Sequence, residues 1–258
     1  MSRTVLVTGA RGKTGREVVV RLRQHPGVVV REGSSRPGAA TAFSWGDPGT
    51  WPNAVAGVDA VYLMRPDVPE APELVASLID INPGAHVVLL SEQGADGLPA
   101  GHWARRVEDA VTGRAAGWTL LRPSWFHQVL TDPRFYRDDI RVGRVLRLPS
   151  GGTPIAWVDA RDIAAVAVAA LLSPARHDRQ AYTITGPAAL PVRAVADELS
   201  ARLGTIVSAT IHHPHRWSRG WTRGPRTSSS TSTTASGPAA SPSSPRSLNA
   251  SPDGARHP

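Results

Sequence analysis

A chain of 258 residues is long enough to form one sizeable α/β domain. Hydrophobic residues make up 41% of it, an ordinary share for a soluble protein, and no run approaches the roughly 20 apolar residues of a membrane-spanning helix. The absence of cysteine excludes disulfides, thiolate catalysis and cysteine-ligated metals. The N-terminus lacks the layout of a secretory signal peptide, which predicts a cytoplasmic protein.

The positive charge is concentrated towards the C-terminus. A formal net charge of +8 would by itself suggest a nucleic-acid partner. From Thr205 onward, however, there are six arginines and a single acidic residue, Asp253, whereas the first 204 residues hold 23 basic and 20 acidic residues. Because the earlier part is nearly balanced, we expect neither a nucleic-acid nor a membrane partner.

Up to about Gly204 the sequence alternates strand and helix patterns. The runs that predict strands are Thr4–Thr8, the segment from Val28 onward, Ala42–Trp45, Asp59–Met64, His86–Ser91, Trp118–Arg122 and Ala181–Thr185. The helical patterns are the segment containing Val18, Val19 and Leu22, then Glu70–Asn82, Trp103–Val111, Asp159–Leu172 and Pro191–Leu203. This alternation predicts an α/β fold with a doubly wound parallel sheet, covered by helices on both faces.

The composition changes after Gly204. Residues 1–204 carry the strand and helix patterns and are expected to form one domain. Residues 205–258 are expected to form a disordered, low-complexity tail. The reason is that Thr227–Pro258 consists mainly of serine, threonine, proline, alanine and arginine, with Leu248 as its one large aliphatic residue.

A glycine-rich segment follows the first predicted strand. Gly9, Gly12 and Gly15 are spaced three residues apart and open the first predicted helix. In a dinucleotide-binding loop, such glycines make the tight turn, let the backbone approach the pyrophosphate and let the helix pack against the sheet. The helix N-terminus then offers N–H groups to the phosphates. The segment Gly9-Ala10-Arg11-Gly12-Lys13-Thr14-Gly15 therefore predicts a Rossmann-type nucleotide site.

The end of the second strand decides between two cofactors. An NAD enzyme places an acidic residue on the ribose about 20 residues beyond the loop, whereas an NADP enzyme uses a nearby arginine. If the strand runs to Ser34, then Ser35 and Arg36 meet the 2′-phosphate; if it stops near Val30, Glu32 binds a ribose hydroxyl and favours NAD(H). The glycine loop adds two more cations, Arg11 and Lys13. This positive charge favours NADP(H) over NAD(H).

Several segments, in order, carry a resemblance to a known family. They are Thr8–Gly15, Ser35–Pro37, Trp45–Trp51, Gly57–Leu63, Val87–Ser91, Trp118–Phe126, Trp157–Ala164 and Tyr182–Pro187. As a set they resemble the NmrA-like, atypical short-chain dehydrogenases/reductases, and Gly12–Thr14 with Arg122–Phe126 is most similar to the ergot-alkaloid-type reductases and their bacterial relatives. The resemblance spans about residues 3–204. It implies a Rossmann core that binds NADP(H), with residues 140–204 contributing a small substrate region.

The resemblance also implies which residues surround the cofactor. Thr8 and Thr14 belong to the matched loop, Asp47 would lie near the adenine, and the ribose side would be lined by Met64, Arg65 and Pro66. Ser91 would face the nicotinamide half, and Pro123, Ser124 and Trp125 would flank the nicotinamide. Two of these have equally good structural interpretations, because Ser91 could cap a strand end and Trp125 could be a packed aromatic residue.

No proton donor is evident in the sequence. The best-known short-chain dehydrogenases use a tyrosine and a lysine four residues apart on a helix, but the matching helix, near His102, has no such pair, and Lys13 is the chain's one lysine. Hydride transfer to a quinone or an iminium, which needs little acid assistance, therefore remains the expected chemistry. If an acid is required, His102 is the first candidate and Glu108 the second, although each could equally be an exposed helix residue.

Two other functions stay open, namely a non-catalytic NADP(H)-binding redox sensor and a truncated, inactive relative. Relatives carry asparagine where Val129 stands, and they continue past Gly204 with helices that close the substrate pocket. Here low-complexity sequence follows, either because the coding frame changed near Thr205 or because the extension is genuine. We expect a small-molecule substrate, no metal, and a monomer or homodimer.

Overall fold

The structure is a computed structural model that describes residues 2–211. A seven-stranded sheet has the order β3-β2-β1-β4-β5-β6-β8, with every neighbouring pair parallel. Its strands are β1 (Arg3–Val7), β2 (Val28–Ser34), β3 (Thr41–Ala42), β4 (Ala60–Leu63), β5 (His86–Leu90), β6 (Gly117–Pro123) and β8 (Gln180–Ile184). A separate parallel pair joins β7 (Val145–Leu148) to β9 (Ser208–Ile211).

Helices cover both faces of the large sheet, which confirms the doubly wound α/β prediction. The helices are α1 (Lys13–Leu22), α2 (Trp51–Val55), α3 (Ala71–Ile81), α4 (Trp103–Arg114), α5 (Arg137–Arg141), α6 (Ala160–Leu172), α7 (Pro174–His177) and α8 (Val192–Leu203). Helices α1 and α6 pack on one face, and α2, α3 and α4 contribute to the core on the other. No helix within residues 2–211 is long and apolar enough to cross a membrane.

The burial pattern explains why the central strands are continuously apolar. Every residue of β4 and β5 is buried, because side chains alternate between two faces that are both covered. Val88 and Leu90 pack towards α1 and α6, whereas Val87 and Leu89 pack towards α3 and α4. The alternation along β5 therefore indicates on which face of the sheet each residue that follows Leu90 lies.

The third predicted strand is shorter than expected. Strand β3 ends at Ala42 rather than at Trp45, because the chain then turns: the Ser44 N–H donates to Thr50 Oγ1 at 3.0 Å, and Trp51 Nε1 donates to the Ser44 carbonyl at 2.7 Å. The turn leads into α2, which buries Trp51 and was not predicted.

The region around β7 and β9 also corrects the sequence-based boundary. The prediction of a disordered tail from residue 205 is wrong for residues 205–211, because Val207 is buried and Ser208–Ile211 pairs with β7. The Val207 N–H donates to Ser200 Oγ at 2.8 Å, which ties this segment to α8. Residues 212–258, which include the rest of the predicted tail, lie outside the described residues.

A third apolar cluster lies outside the two faces of the large sheet. It contains Ile140, Leu146, Leu148, Trp157 and Val195, together with Val207. The cluster is built from α5, β7 and α8, so it belongs to the part of the chain predicted to form the substrate region. Neither α5 nor β7 was predicted, since each has only four or five residues and a weak periodicity.

Candidate functional site

The turn from β1 into α1 is built on close backbone contacts. Gly9 has a φ of +65°, in the left-handed region, and a Cβ there would meet Met64 Sδ at 3.2 Å. A Cβ on Gly15 would lie 2.2 Å from the Gly9 carbonyl oxygen, so this position admits only glycine without a backbone shift. The Gly12 N–H donates to the same carbonyl at 2.8 Å. The loop therefore has the tight turn and the close helix–strand approach that the glycine spacing predicts.

The two threonines of the loop hold it to strand β4. Thr8 Oγ1 accepts from the Met64 N–H at 2.7 Å, and Tyr62 donates from its hydroxyl to Thr14 Oγ1 at 2.8 Å. Thr8, Thr14 and Tyr62 are fully buried. These hydroxyl groups thus fix the loop conformation, and the ligand-facing part of the loop is its backbone.

The first turn of α1 is available to an anion. Gly12 precedes the helix with extended backbone angles and no side-chain cap. The N–H groups of a first helical turn have no intrahelical partner, and the helix dipole places partial positive charge there. Together with the cleared backbone at Gly12 and Gly15, this arrangement fits the pyrophosphate of a dinucleotide.

Strand β2 runs to Ser34, which is the condition under which the sequence favours NADP(H). Glu32, the alternative ribose ligand, pairs with Arg23. The Arg36 N–H donates to Ser34 Oγ at 3.2 Å, and the exposed Arg36 guanidinium has no ion-pair partner within residues 2–211. Ser35 and Arg36 therefore stand just beyond the carboxyl end of β2, in the position expected for a 2′-phosphate site.

Asp47 and Arg31 take local structural contacts. Asp47 Oδ1 accepts from the Gly49 N–H at 3.1 Å and so caps the short turn before α2. The Arg31 guanidinium donates to the carbonyl oxygens of Ala54 and Ala56, at 3.2 Å and 2.6 Å, and thereby caps the end of α2. Arg31 is thus bound rather than free in solvent, and the cation left at the end of β2 is Arg36.

Lys13 makes the least expected contacts of the site. Its ammonium lies 2.5 Å from Asp132 Oδ2 and 3.9 Å from the centre of the Phe135 ring. Burial lowers the pKa of Lys13, and the charge of Asp132 opposes that shift. Burial alone would raise the pKa of Asp132, but hydrogen bonds from Arg134 and Lys13 outweigh it and hold that pKa well below its usual range. Lys13 therefore links the glycine loop to residues 132–135 instead of extending into solvent.

A buried ion pair organises the ends of β5 and β6. Glu108 on α4 is 3% exposed. Its two carboxylate oxygens accept from Arg122 Nε at 3.0 Å and Nη2 at 2.8 Å, and Ser91 Oγ donates to Oε1 at 2.6 Å. Arg122 also lies 2.9 Å from Asp96 Oδ2. Glu108 is thus a buried anion whose contacts fix Ser91, so the alternative of an exposed helix residue is wrong for it.

The remaining predicted residues lie around the same edge. His102 caps α4, its Nδ1 accepting from the Ala104 N–H at 3.3 Å. The Arg65 guanidinium lies 3.6 Å from the centre of the Trp103 ring and donates to the Pro66 carbonyl at 2.9 Å. Each of these residues follows the carboxyl end of a strand or begins α4, so they belong to one edge of the sheet.

Beyond β6 the chain enters an aromatic segment. Pro123 ends the strand and the buried Ser124 donates its N–H to the Ile184 carbonyl at 2.9 Å. The Trp125 ring stacks on Tyr136 with centroids 6.1 Å apart and meets Trp157 edge-on at 6.0 Å. Trp125 therefore continues the third apolar cluster, in agreement with the packed-aromatic interpretation.

The sequence of this chain is similar to the sequences of known oxidoreductases. The chain is 35% identical over 215 residues to an NAD(P)H azoreductase of Xenophilus azovorans, an alignment that covers 78% of this chain and 74% of that protein. It is 30% identical over 225 residues to agroclavine dehydrogenase of Claviceps fusiformis, covering 81% and 75%. The chain belongs to the NmrA-like, atypical short-chain dehydrogenase/reductase family. No family model matches it.

Solved structures of reductases show the same fold. An NADPH-dependent quinone oxidoreductase from Escherichia coli, complexed with NADPH, superposes with a TM-score of 0.64 at 22% identity, covering 81% of this chain and 78% of that one. A triphenylmethane reductase of Citrobacter, complexed with NADP(H), gives 0.62 at 17% identity, covering 83% and 80%. These likenesses concern the fold, and family membership confirms the general class of NAD(P)-binding oxidoreductase.

Three residues of this NmrA-like site were missed at the sequence level, namely Asp132, Phe135 and Glu92. Asp132 and Phe135 are distant from Lys13 in the sequence, and an Asp-Pro dipeptide is an ordinary turn signal. Glu92 directly follows Ser91, which was predicted as a site residue. Its position at the end of a strand was therefore the one sequence signal that could have identified it.

Replacing Gly15 with alanine tests the loop geometry. The new Cβ would meet the Gly9 carbonyl, so we expect Gly15→Ala to lower the unfolding free energy by about 1–3 kcal/mol and to weaken NADPH binding. Gly113→Ala is the matched control, because Gly113 lies in α4 with nothing within 4 Å of a Cβ; it should leave binding unchanged and raise stability by at most about 1 kcal/mol. Denaturant unfolding and NADPH titration measure both. Equal behaviour of the two variants would contradict the geometry.

Lys13 offers a second test because it is the chain's one lysine. Asp132→Asn removes the carboxylate that raises the pKa of Lys13, so more of the buried amine should be neutral and nucleophilic. We expect labelling of Lys13 by an amine-reactive reagent to accelerate roughly threefold to tenfold. Peptide mass mapping measures the rate of labelling at Lys13, with labelling of the N-terminal amine as the internal reference. Asp138→Asn, which alters an exposed carboxylate paired with Arg137, is the control; unchanged labelling in Asp132→Asn would show that the ion pair does not form in solution.

Proposed function

We propose that this protein is an NADP(H)-dependent reductase that transfers hydride to a small aromatic or apolar electrophile of quinone or iminium type. The observation that carries the proposal is the backbone cradle at Gly9, Gly12 and Gly15, combined with a second strand that ends at Ser34 beside Arg36, which has no ion-pair partner in the described part of the chain. The cradle accommodates a pyrophosphate, and Arg36 distinguishes a 2′-phosphate from a free hydroxyl. The activities of the azoreductase and of the quinone oxidoreductase support the same class.

The proposed roles follow the edge of the sheet. The pyrophosphate lies on the backbone of the glycine loop, with Arg11 beside it, and the 2′-phosphate on Ser35 and Arg36. Asp47 stands on the adenine side. The ribose side is lined by Met64, Arg65 and Pro66, and the nicotinamide half by Ser91, Pro123, Ser124 and Trp125. NADPH supplies the hydride, while these residues orient the reactants and exclude water.

The acceptor class follows from what the site lacks. The sequence has no tyrosine and lysine four residues apart, and its one lysine, Lys13, is held in the glycine loop by Asp132 and Phe135. A site without that pair suits an acceptor that takes hydride readily, and the partly buried aromatic residues around Trp125 suit a planar apolar molecule. The same lack of a Tyr–Lys pair favours the second candidate, a redox sensor that binds NADP(H) without turning it over.

The cofactor assignment predicts a selective effect of Arg36. Removing an arginine that contacts a phosphate should cost about 1.5–3 kcal/mol, so Arg36→Ala should weaken NADPH binding roughly 10- to 150-fold and leave NADH binding nearly unchanged. Arg193→Ala, an exposed arginine of α8, is the matched control. Fluorescence titration with both cofactors measures the effect. Tighter binding of NADH by the wild type, or an equal loss for both cofactors, would contradict the assignment.

Turnover decides between the reductase and the sensor. Purified protein mixed with NADPH and a panel of quinones and cyclic iminium ions should consume NADPH with at least one acceptor. The oxidised cofactor and the reduced acceptor should appear in equal amounts, which excludes a slow side reaction with oxygen. Cofactor binding without turnover across the whole panel would instead support the sensor.

A further inference from the structure

Glu92 lies just beyond β5, a fully buried strand of the large sheet, at the edge that carries the proposed cofactor site. Strand β5 ends at Leu90, but its pairing with β6 continues: the Ser91 N–H donates to the Leu121 carbonyl at 2.8 Å, and the Gln93 N–H donates to the Pro123 carbonyl at 3.1 Å. The backbone of Glu92 is therefore held on both sides. Glu92 thus lies at the carboxyl edge of the sheet, which is the edge where ligands bind in such folds.

The carboxyl group of Glu92 differs from its acidic neighbours. Glu108 is bound by Arg122 and Ser91, and Asp96 is bound by Arg122. Glu92, although partly buried, makes no side-chain hydrogen bond or ion pair with any residue of the described chain from 2 to 211. A partly buried carboxyl group without a protein partner at a ligand-binding edge is free to contact a ligand.

Burial favours the protonated form of Glu92. Burial raises the pKa of Glu92; the positive charge of Arg65 opposes this shift, and the negative charge of Glu108 reinforces it. The opposing guanidinium is itself occupied, because Arg65 stacks on Trp103 and lies 3.3 Å from Asp67 Oδ1. Glu92 therefore keeps its proton to a higher pH than an ordinary glutamate, which suits a general acid.

We propose that Glu92 is the catalytic proton donor in the reduction of a quinone, an assignment that rests on the proposed function. The quinone gains a hydride from NADPH and a proton from the Glu92 carboxyl group, and the product is a hydroquinone. NADPH becomes NADP⁺, and the carboxylate left on Glu92 takes a proton from water. The charge that develops on the acceptor oxygen as hydride arrives is neutralised by that proton.

The two acids considered from the sequence are less suited to this step. Glu108 accepts three hydrogen bonds from Arg122 and Ser91, so its carboxyl oxygens are already occupied and its role is to position Ser91. His102 uses Nδ1 to cap α4. Glu92 lies at the same edge. Of these three side chains, it is the one that makes no hydrogen bond or ion pair within residues 2–211.

The chemistry of the acceptor provides an internal control. An iminium cation that gains a hydride becomes a neutral amine, so no proton needs to enter in that step. A quinone that gains a hydride carries a negative charge until it is protonated. A proton must therefore reach a quinone and not an iminium ion, so a donor at the site accelerates the reduction of quinones alone, whereas a residue that merely shapes the site affects both.

The test compares Glu92→Gln with the wild type on both acceptor types. We expect kcat for a quinone to fall by roughly 100-fold or more, while kcat for an iminium, the Kd for NADPH and the melting temperature stay close to wild type. Glu70→Gln, which alters an exposed glutamate before α3, is the matched control and should change none of these. Equal losses for both acceptors would assign Glu92 a structural role and overturn the proposal, as would undiminished quinone turnover.

A second measurement does not depend on turnover. Carbon NMR of glutamate-labelled protein, read as the difference between wild type and Glu92→Gln, should show a carboxyl group that titrates above the roughly 4.3 of free glutamate. Titration at or below that value would overturn the assignment. If wild type turns over no acceptor, the proposed function fails and the donor role with it; if it turns over both and Glu92→Gln matches it, the donor role alone fails.

Discussion

The contact between the Gly9 carbonyl and the backbone of α1 is the constraint on which the rest of this site depends. The Gly12 N–H hydrogen-bonds to that carbonyl, and Gly15 passes so close to it that a Cβ would lie 2.2 Å away. Helix α1 therefore begins at Lys13, shortly after β1 ends at Val7, and its first N–H groups lie beyond the carboxyl end of that strand. A larger residue at position 15 would push the helix outward and remove both the anion site and the packing of Val18 and Leu22 on the sheet.

The opposite half of the site depends on a buried ion pair. Removing Glu108 and Arg122 from water is costly, and the cost is offset only when their charges are paired and hydrogen-bonded, as they are here by two contacts between the groups and one from Ser91. The pair joins α4 to β6 and sets the direction of Ser91. Glu108 also places a negative charge close to Glu92. The same ion pair therefore contributes to the position of Ser91 and to the protonation of Glu92.

Lys13 connects these halves to the third apolar cluster. Its ammonium leaves the glycine loop and is held by Asp132 and the Phe135 ring. Phe135 packs against the same cluster as Trp125, so the phosphate side of the site and the aromatic segment are coupled through one side chain. A cofactor phosphate near Lys13 would compete with Asp132 for the same cation, which makes this contact sensitive to occupation of the site.

The sequence by itself determined the repeating strand–helix order, the glycine loop and the family. Each of these depends on residues that are adjacent in the chain, so periodicity and spacing record them. It also identified Glu108, Ser91 and Arg36 as residues of interest, but not the contacts that give Glu108 its buried, paired state. The short elements α2, α5, β7 and β9 escaped prediction because their stability comes from burying residues such as Trp51 and Val207 in distant clusters. Only the tertiary structure brought Asp132 to Lys13 and left the Glu92 carboxyl group without a hydrogen-bond or ion-pair partner among residues 2–211, because charge pairing depends on distances in space that sequence spacing does not encode.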